Sequence, residues 1–354
     1  SVPAPSFDLA AADMTQVPLI SLRQELPFPG KQGAETAVAR AESAVAAASR
    51  ASVEVSLAAA GARAYHDLSF GRSALEVWRS RLTLAEQAIA VAQVRYETGA
   101  APQTDLLRAR LRRAELQEEG RQLDAALAAA RARANALRAG TTDSIATPAL
   151  DAQRALAVAI VATDTARTDT LLLRDLAAGN PELRTALAEV DRAGRMARTF
   201  AIAARPDFMV ELQTGVRRTG REPFVSGMVG VTVPLWSGRK QAPAARAAQL
   251  DAAAAERRYD DLAARLAGDL TGVAANLSAL RERIALTTDE IIPLAEAAST
   301  SALQRYQVGG LDFTAVLDSQ DDLFRARLTL ARLIADYGTA RARLAALVGE
   351  EWYR

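Results

Sequence analysis

The sequence predicts a mainly α-helical protein with a small β part, in which long antiparallel helical hairpins are repeated in tandem. Half of the 354 residues are hydrophobic but only 5% are aromatic, so the apolar content consists mostly of Ala, Leu and Val, which suit long, closely packed helices. The stretch RYETG at Arg95 returns as RYQVG at Arg305, 210 residues later. Two segments with alternating polarity lie between these copies and predict the β part.

The first helical hairpin is predicted over residues 34–138. Helical periodicity starts after the stretch PFPGKQG and continues without proline to Glu97. A helix from Ala34 to Tyr96, at about 1.5 Å per residue, would be about 95 Å long. Gly99 can adopt the left-handed cap conformation, and Pro102 suits the first turn of the next helix. This hairpin belongs to a predicted first repeat, residues 1–140.

The second repeat, residues 181–354, is predicted to begin with a helix over residues 181–204 and a β-hairpin over residues 208–235. In the first strand, Val210 and Leu212 alternate with Glu211 and Gln213, and the second strand alternates in the same way. Two such strands of about ten residues fit a transmembrane β-barrel hairpin. A soluble β-sandwich gives the same pattern, so the alternation alone does not choose between the two.

A second helical hairpin is predicted over residues 243–348. Pro293 is expected to kink its first helix, which ends at Gly309 and Gly310. Asp312 can cap the N-terminus of the last helix.

The strand-to-helix junction also occurs twice. VPLISLRQELPFPGK from Val17 parallels VGVTVPLWSGRK from Val229, and a proline stands at each corner. Residues 1–26 therefore form a β-hairpin remnant, and no helix precedes it, so we expect the first repeat to be incomplete at its N-terminus. Residues 141–180 are left as an equatorial or linker segment. The predicted corner residues are Pro27, Gly30, Lys31, Pro234, Gly238 and Arg239.

Several kinds of function are not supported by the sequence. A formal net charge of +1 gives no reason to expect nucleic acid, and the absence of cysteine excludes disulfides and thiolate sites. His66, the only histidine, has no second ligand one helical turn away, so no metal site is expected there. No nucleophile and base are paired in the sequence, so we expect neither catalysis nor a cofactor.

The repeated helix, β-hairpin and helical hairpin, with RYxxG at both helical turns and QELPFPGK and VPLWSGRK at the corners, resembles the TolC family of outer-membrane efflux ducts. The stretch MTQVPLISLRQELPFPGK is most similar to the heavy-metal branch, which exports cobalt, zinc and cadmium or copper and silver. The resemblance implies a homotrimer whose protomers build one twelve-stranded β-barrel in the Gram-negative outer membrane, in contact with its lipid, and a helical tube that extends into the periplasm. It also implies a passive exit duct, which receives heavy-metal cations from an inner-membrane RND-type pump through a periplasmic membrane-fusion adaptor.

The same resemblance implies roles for residues at the helical turns, which would lie at the periplasmic tip. Three copies of each tip carboxylate would form rings that attract cations. Leu311 and Ala315 depart from the family, which has an arginine and an aspartate there, so the gate contacts are expected to differ. The implied gate and constriction residues are Asp105, Tyr306, Asp318, Asp312, Asp321 and Asp322, and the implied adaptor-docking residues are Arg95, Tyr96, Gly99, Arg305, Gly309 and Gly310.

A soluble periplasmic coiled-coil adaptor or scaffold is the alternative, because its helical hairpins would also be long and rich in alanine. The alternating strands, and the repetition of the whole hairpin, favour the duct.

Overall fold

A computed structural model of the chain describes residues 6–9, 19–138, 145–162, 169–216, 223–233, 238–308, 310 and 313–349. Long helices account for most of these residues, and one small sheet accounts for the strands. In chain order the elements are β1 (Ser6–Leu9), β2 (Leu19–Leu26), α1 (Lys31–Glu97), α2 (Gln103–Leu137), α3 (Leu150–Ala162), α4 (Asp169–Gly179), α5 (Pro181–Ile202), β3 (Asp207–Val216), β4 (Pro223–Thr232), α6 (Gln241–Leu286), a π-helical turn (Thr287–Ile291), α7 (Ile292–Gln307) and α8 (Phe313–Val348).

The long helices begin and end within three residues of the positions that the sequence predicts. Helix α1 runs for 67 residues without a break. The described parts of the segment predicted as equatorial or linker, residues 145–162 and 169–179, contain two short helices, α3 and α4, and both pack against α8.

Pro293 does not produce a simple kink. The five residues before Ile292 form a π-helical turn, and α7 follows directly, with the proline in its first turn. Proline donates no backbone hydrogen bond, and its ring crowds the carbonyl four residues earlier. The wider π-helical turn separates these groups, so the helix continues past the proline.

The four strands form one antiparallel sheet in the order β1-β2-β3-β4. In its register Val210 lies opposite Val229, and Glu211 lies opposite Met228, so the apolar and polar faces run across neighbouring strands. The apolar face is exposed, with Val229 75% exposed. The other face is mixed, because Glu211 is only 3% exposed whereas its partner Met228 is 48% exposed. A soluble sandwich buries its apolar face, so this inverted arrangement favours the membrane interpretation of the alternation.

Glu211 is buried because it is paired. Arg23 of β2 donates to its carboxylate at 2.7 Å, and Gln213 donates to its other oxygen. An unpaired carboxylate at this position would be costly, so these two neighbours make the polar face possible.

The described chain divides into two compact units. One contains residues 1–52 and 181–265, with the sheet and α5, and the other contains residues 53–180 and 266–354. Each unit takes part of each predicted repeat, so the repeats of the sequence and the compact units of the fold do not coincide.

Close packing in the second unit depends on glycines at helix contacts. A Cβ atom at Gly120 of α2 would lie 2.3 Å from Cζ2 of Trp78, whose Nε1 donates to the carbonyl of Leu116 at 2.6 Å. At Gly338 of α8 a Cβ atom would lie 2.2 Å from Cε1 of His66. The single histidine therefore fills the space left by a missing side chain.

Candidate functional site

The two helical turns that carry RYxxG each contain the same type of backbone hydrogen bond, at equivalent positions. The amide of Ala100 donates to the carbonyl of Arg95 at 2.8 Å, and the amide of Gly310 donates to the carbonyl of Arg305 at 2.9 Å. These pairs are separated by the same 210 residues as the motif itself. The bond spans six residues and is typical of helix C-termini that end in a left-handed residue, and Gly99 has a φ of 73°.

Arg95 connects the two hairpins at this end of the second unit. Its Nη1 donates to the backbone carbonyl of Tyr306 at 2.8 Å, and its guanidinium lies 4.4 Å from the centre of the Tyr306 ring. Its Nη2 also donates to the carbonyl of Ala100 at 3.3 Å, which fixes the side chain against its own turn. The equivalent arginine of the second turn, Arg305, is exposed.

The two tyrosines of the motif lie in opposite environments. Tyr96 is 42% exposed, whereas Tyr306 is 3% exposed, and its hydroxyl makes no hydrogen bond to another described residue. Burial raises the pKa of Tyr306; the cation of Arg95 lowers it in part, and the carboxylate of Asp105 adds to the rise. The phenol is therefore neutral at physiological pH.

Tyr306 is the polar member of a small apolar core that joins the hairpins. Its ring lies 5.4 Å from that of Phe313, between ring centres, and Leu106 and Val316 complete the contact. A groove of about 150 Å³ opens beside these residues and reaches Gln320, which is also buried. We call Arg95, Leu106, Tyr306, Phe313 and Val316 the tip cluster.

Two of the predicted pore aspartates are at the surface and one is not. Asp318 is exposed. Asp322, four residues later on the same side of α8, is 69% exposed and pairs with the exposed Arg325 at 3.2 Å. Asp321 points in the other direction, and its side chain is 22% exposed.

Asp321 accepts hydrogen bonds from two arginines of the first hairpin. Arg81 of α1 donates at 2.8 Å, and Arg112 of α2 donates through a short bond to the other oxygen. Burial alone would raise the pKa of Asp321, but the hydrogen bonds and charges of these arginines outweigh it and hold that pKa below its usual value. Asp321 is thus an ionic contact between hairpins, and its side chain does not line an open surface.

The remaining predicted tip residues are placed less centrally or lie outside the described residues. Asp105 is half-buried in the first turn of α2, where a carboxylate favours the positive end of the helix dipole. Gly309 and Asp312, together with the corner residue Pro234, lie outside the described residues.

The first strand-to-helix corner is held by a residue that the sequence analysis does not select. Asp207, at the start of β3, accepts a hydrogen bond from the amide of Phe28 at 2.8 Å and one from Nζ of Lys31 at 2.9 Å. Gly30, with a φ of 99°, makes the turn possible, because a side chain is disfavoured there. At the second corner Gly238 and Arg239 lie in an exposed turn before α6.

Arg81, Arg112 and Asp207 are thus the contact residues missed by sequence reasoning. Lys31 and Asp207 are 176 residues apart along the chain, and Arg81 and Asp321 are 240 residues apart. No local pattern of sequence therefore marks these pairs.

Two further searches concern metals and membranes. Within the described residues there is no group of three or more metal-ligating side chains. Among the helices of the described part of the chain, none contains an apolar stretch long enough to cross a bilayer.

Comparisons with known proteins agree with this architecture. The family model described as "Outer membrane efflux protein" matches residues 172–350, just over half of the chain. The outer membrane protein VceC of Vibrio cholerae superposes with a TM-score of 0.78 at 18% identity, over 98% of this chain and 85% of that one. The outer-membrane channel OprN gives a TM-score of 0.80 at 17% identity, over 99% and 81%. CusC, which forms a transmembrane channel, gives 0.77 at 15% identity, over 98% and 81%. No curated protein sequence matches the chain.

Proposed function

Because the chain belongs to the outer membrane efflux protein family, which resides in the Gram-negative outer membrane and extends into the periplasm, we propose that it is the homotrimeric exit duct of a tripartite efflux system for heavy-metal cations. A periplasmic membrane-fusion adaptor and an inner-membrane RND-type pump would deliver the substrate. The duct is passive, so the chain performs no catalysis. No observation favours the soluble adaptor.

The observation that carries this proposal is the inverted, open-edged sheet. Its apolar face is exposed, and β1 and β4 are its two outer strands. Unpaired strand edges are not tolerated in lipid, so other copies must supply the missing neighbours. Three copies of a four-stranded sheet would close one barrel of twelve strands.

A cysteine scan tests the trimer. The native chain has no cysteine, so pairs with one cysteine in β1 and one in β4 can be introduced without background. In membranes we expect oxidation to produce dimers and trimers from such pairs, and only monomers from either cysteine alone. A stable, water-soluble monomer with full helix content would refute the duct.

Heavy-metal cations are proposed as substrates on two grounds. The stretch from Met14 to Lys31 resembles the heavy-metal branch, and Asp318 and Asp322 give each protomer two exposed carboxylates on one side of α8. In a trimer, six carboxylates around a narrow opening would attract cations and repel anions.

Deletion of the gene tests the substrate. We expect the host to become sensitive to at least one of zinc, cobalt, cadmium, copper and silver, while its tolerance of hydrophobic drugs is unchanged. Unchanged tolerance of all five metals, or a loss of drug tolerance alone, would contradict the heavy-metal assignment and leave the duct itself in place.

We propose that the tip cluster keeps the periplasmic end closed and that the exposed residues of the turns, Tyr96 and Arg305, contact the adaptor. Arg95→Ala removes the hydrogen bond to the carbonyl of Tyr306, and we expect a higher single-channel conductance in planar bilayers. Arg305→Ala is the matched control, because it changes the same residue type at the equivalent position of the repeat without breaking a contact between the hairpins. Equal conductance of the two variants would contradict the gate assignment.

A further inference from the structure

Three strands end together at the edge of the sheet that leads into the helices. In the register, Leu26 at the end of β2 lies opposite Phe208, and Thr232 at the end of β4 lies opposite Asp207 at the start of β3. Two of the connections that leave the sheet at this edge lie side by side, since Nζ of Lys31 donates to the carbonyl of Arg205 at 2.7 Å. We call residues 27–31 and 203–207, together with residues 238–240 in the turn before α6, the helix-side edge.

This edge has an excess of positive charge. Its residues include four cations but only one carboxylate, that of Asp207. Lys31 pairs with this carboxylate at 2.9 Å, so the two charges cancel. The other three cations are exposed, and none donates a side-chain hydrogen bond to another described residue; they are Arg205, Arg239 and Lys240.

Arg205 is positioned rather than free to move. Its carbonyl accepts a hydrogen bond from Nζ of Lys31 at 2.7 Å, and its backbone amide donates to Ile202 at 3.0 Å. Its guanidinium lies over the ring of Phe28, 5.3 Å from the ring centre. A guanidinium that stacks on an aromatic ring keeps its N–H donors in its own plane, where they can still bind two oxygens of one phosphate.

The exposed apolar face of the sheet reaches this edge. Leu26, Phe208, Val231 and Val233 are all exposed there. In a membrane-spanning sheet the end of the exposed apolar residues marks the end of the hydrocarbon layer. In such a membrane placement Arg205 and the ring of Phe28 stand at the depth of the lipid headgroups, where aromatic and basic residues are favoured.

We propose that the helix-side edge is a binding site for the phosphate of an anionic phospholipid headgroup in the periplasmic leaflet. Arg205 would bind the phosphate oxygens with two N–H donors, while Arg239 and Lys240 would add attraction without a fixed geometry. This inference rests on the membrane placement of the sheet and is independent of the exported substrate.

Lipid retention by the purified, full-length protein tests the site. The measurement is displacement of a fluorescent phosphatidylglycerol from the detergent-solubilised protein, together with native mass spectrometry of the lipids that stay bound. A basic residue at the interface favours anionic lipid by about fivefold in affinity, so we expect Arg205→Gln to weaken binding by about that factor. The variant with Arg205, Arg239 and Lys240 all changed to Gln should weaken it by about a hundredfold.

Arg258→Gln is the matched control. Arg258 is exposed, and its substitution removes the same charge. It lies 17 residues beyond Gln241, or about 25 Å along α6. It should leave lipid binding unchanged. Because all four positions are exposed, circular dichroism and oligomer size should match the wild type in every variant.

Three results would overturn the proposal: equal retention of phosphatidylglycerol by the triple variant and the wild type, equal retention of phosphatidylcholine by the wild type, or displacement of the lipid by inorganic phosphate. Displacement by inorganic phosphate would mean that the site binds a free anion and not a lipid headgroup. Loss of the heavy-metal function would be seen separately, since metal tolerance of the host does not enter this measurement.

Discussion

The ionic contact at Asp321 provides the sharpest test of how the two hairpins are held together. In Asp321→Asn the side chain keeps its shape but loses its charge, and its NH₂ group turns a donor toward arginines that are themselves donors. Breaking one partner out of a buried ion pair costs about 3–5 kcal/mol. Here Arg81 keeps Glu119 at 3.0 Å and Arg112 keeps Glu115 at 3.1 Å, so part of the attraction remains.

We therefore expect Asp321→Asn to lower the local free energy of opening by about 2 kcal/mol, which corresponds to about thirty-fold faster amide exchange. The measurement is hydrogen exchange of the solubilised protein, read in α1, α2 and α8, the three helices that Asp321 connects. Asp322→Asn is the control, because that side chain is 69% exposed and its pair with Arg325 is worth less than about 0.5 kcal/mol. Equal exchange in the two variants would refute the ionic contact.

The pH dependence of this contact follows from its pKa. The pKa of Asp321 is lower in the folded protein than the ordinary value of 3.8, so the folded state favours the charged form. Its contribution to stability is complete above that ordinary value and is lost as the pH falls below it toward the folded pKa. The wild-type and Asp321→Asn proteins should therefore differ at neutral pH and converge in strong acid.

Three further predictions address packing, protonation and the membrane. Gly120→Ala would place a methyl group against the indole ring of Trp78 and should destabilise the protein by about 1–3 kcal/mol. Gly61 has open space around it, so Gly61→Ala should stabilise its helix by up to about 1 kcal/mol. Thermal unfolding measures both. Burial lowers the pKa of His66, and the charge of Asp67 opposes this with a smaller effect. The folded state therefore favours the neutral imidazole, and stability should fall as the pH drops below about 6.5. In His66→Gln the melting temperature should change less between about pH 7.5 and pH 5. Val229→Lys, on the exposed apolar face, should cost about 2–4 kcal/mol and reduce trimer yield in outer-membrane fractions, whereas Ser226→Lys on the polar face should not; equal yields would argue against that face being in lipid.

The elements of the fold that the sequence predicts are those with strong local signals. Gly99, with a φ of 73°, marks the first helical turn because the end of that helix needs a residue that tolerates a left-handed backbone. Periodicity locates α1 and α8 to within a few residues, and the alternation of Val210 and Leu212 locates β3. Each of these signals is contained in a short window of sequence, which is why they can be read without the structure.

The environment of a single side chain is a different matter. Tyr96 and Tyr306 occupy the same place in a repeated motif, yet only Tyr306 is buried, because Leu106 and Phe313 of other helices cover it. The direction of Asp321 has the same cause. Whether a residue of α8 faces the first hairpin depends on how the helices are rotated against each other, and no spacing within α8 specifies that rotation.

Strands β3 and β4 are a case in which the local pattern is clear but its meaning is not. Their alternation is equally compatible with a sandwich and with a barrel, since each has one apolar face. The exposure of Val229 and the burial of Glu211 with Arg23 favour the barrel, and that pairing joins residues 188 positions apart.

The π-helical turn before Pro293 determines how the helix responds to the deletion of one residue. Each residue of an α-helix turns the chain by about 100°, and a π-helical turn absorbs one residue more than an α-helical turn does. If one residue of Thr287–Ile291 were deleted and the turn became α-helical, the alignment of α6 with α7 could be kept. If the deletion fell instead one turn later, in α7, every side chain beyond it would rotate by about 100°, and Tyr306 would leave the core that it shares with Phe313. The rotational position of Tyr306 is therefore set at a distance, and a one-residue deletion is tolerated within the π-helical turn but damaging beyond it.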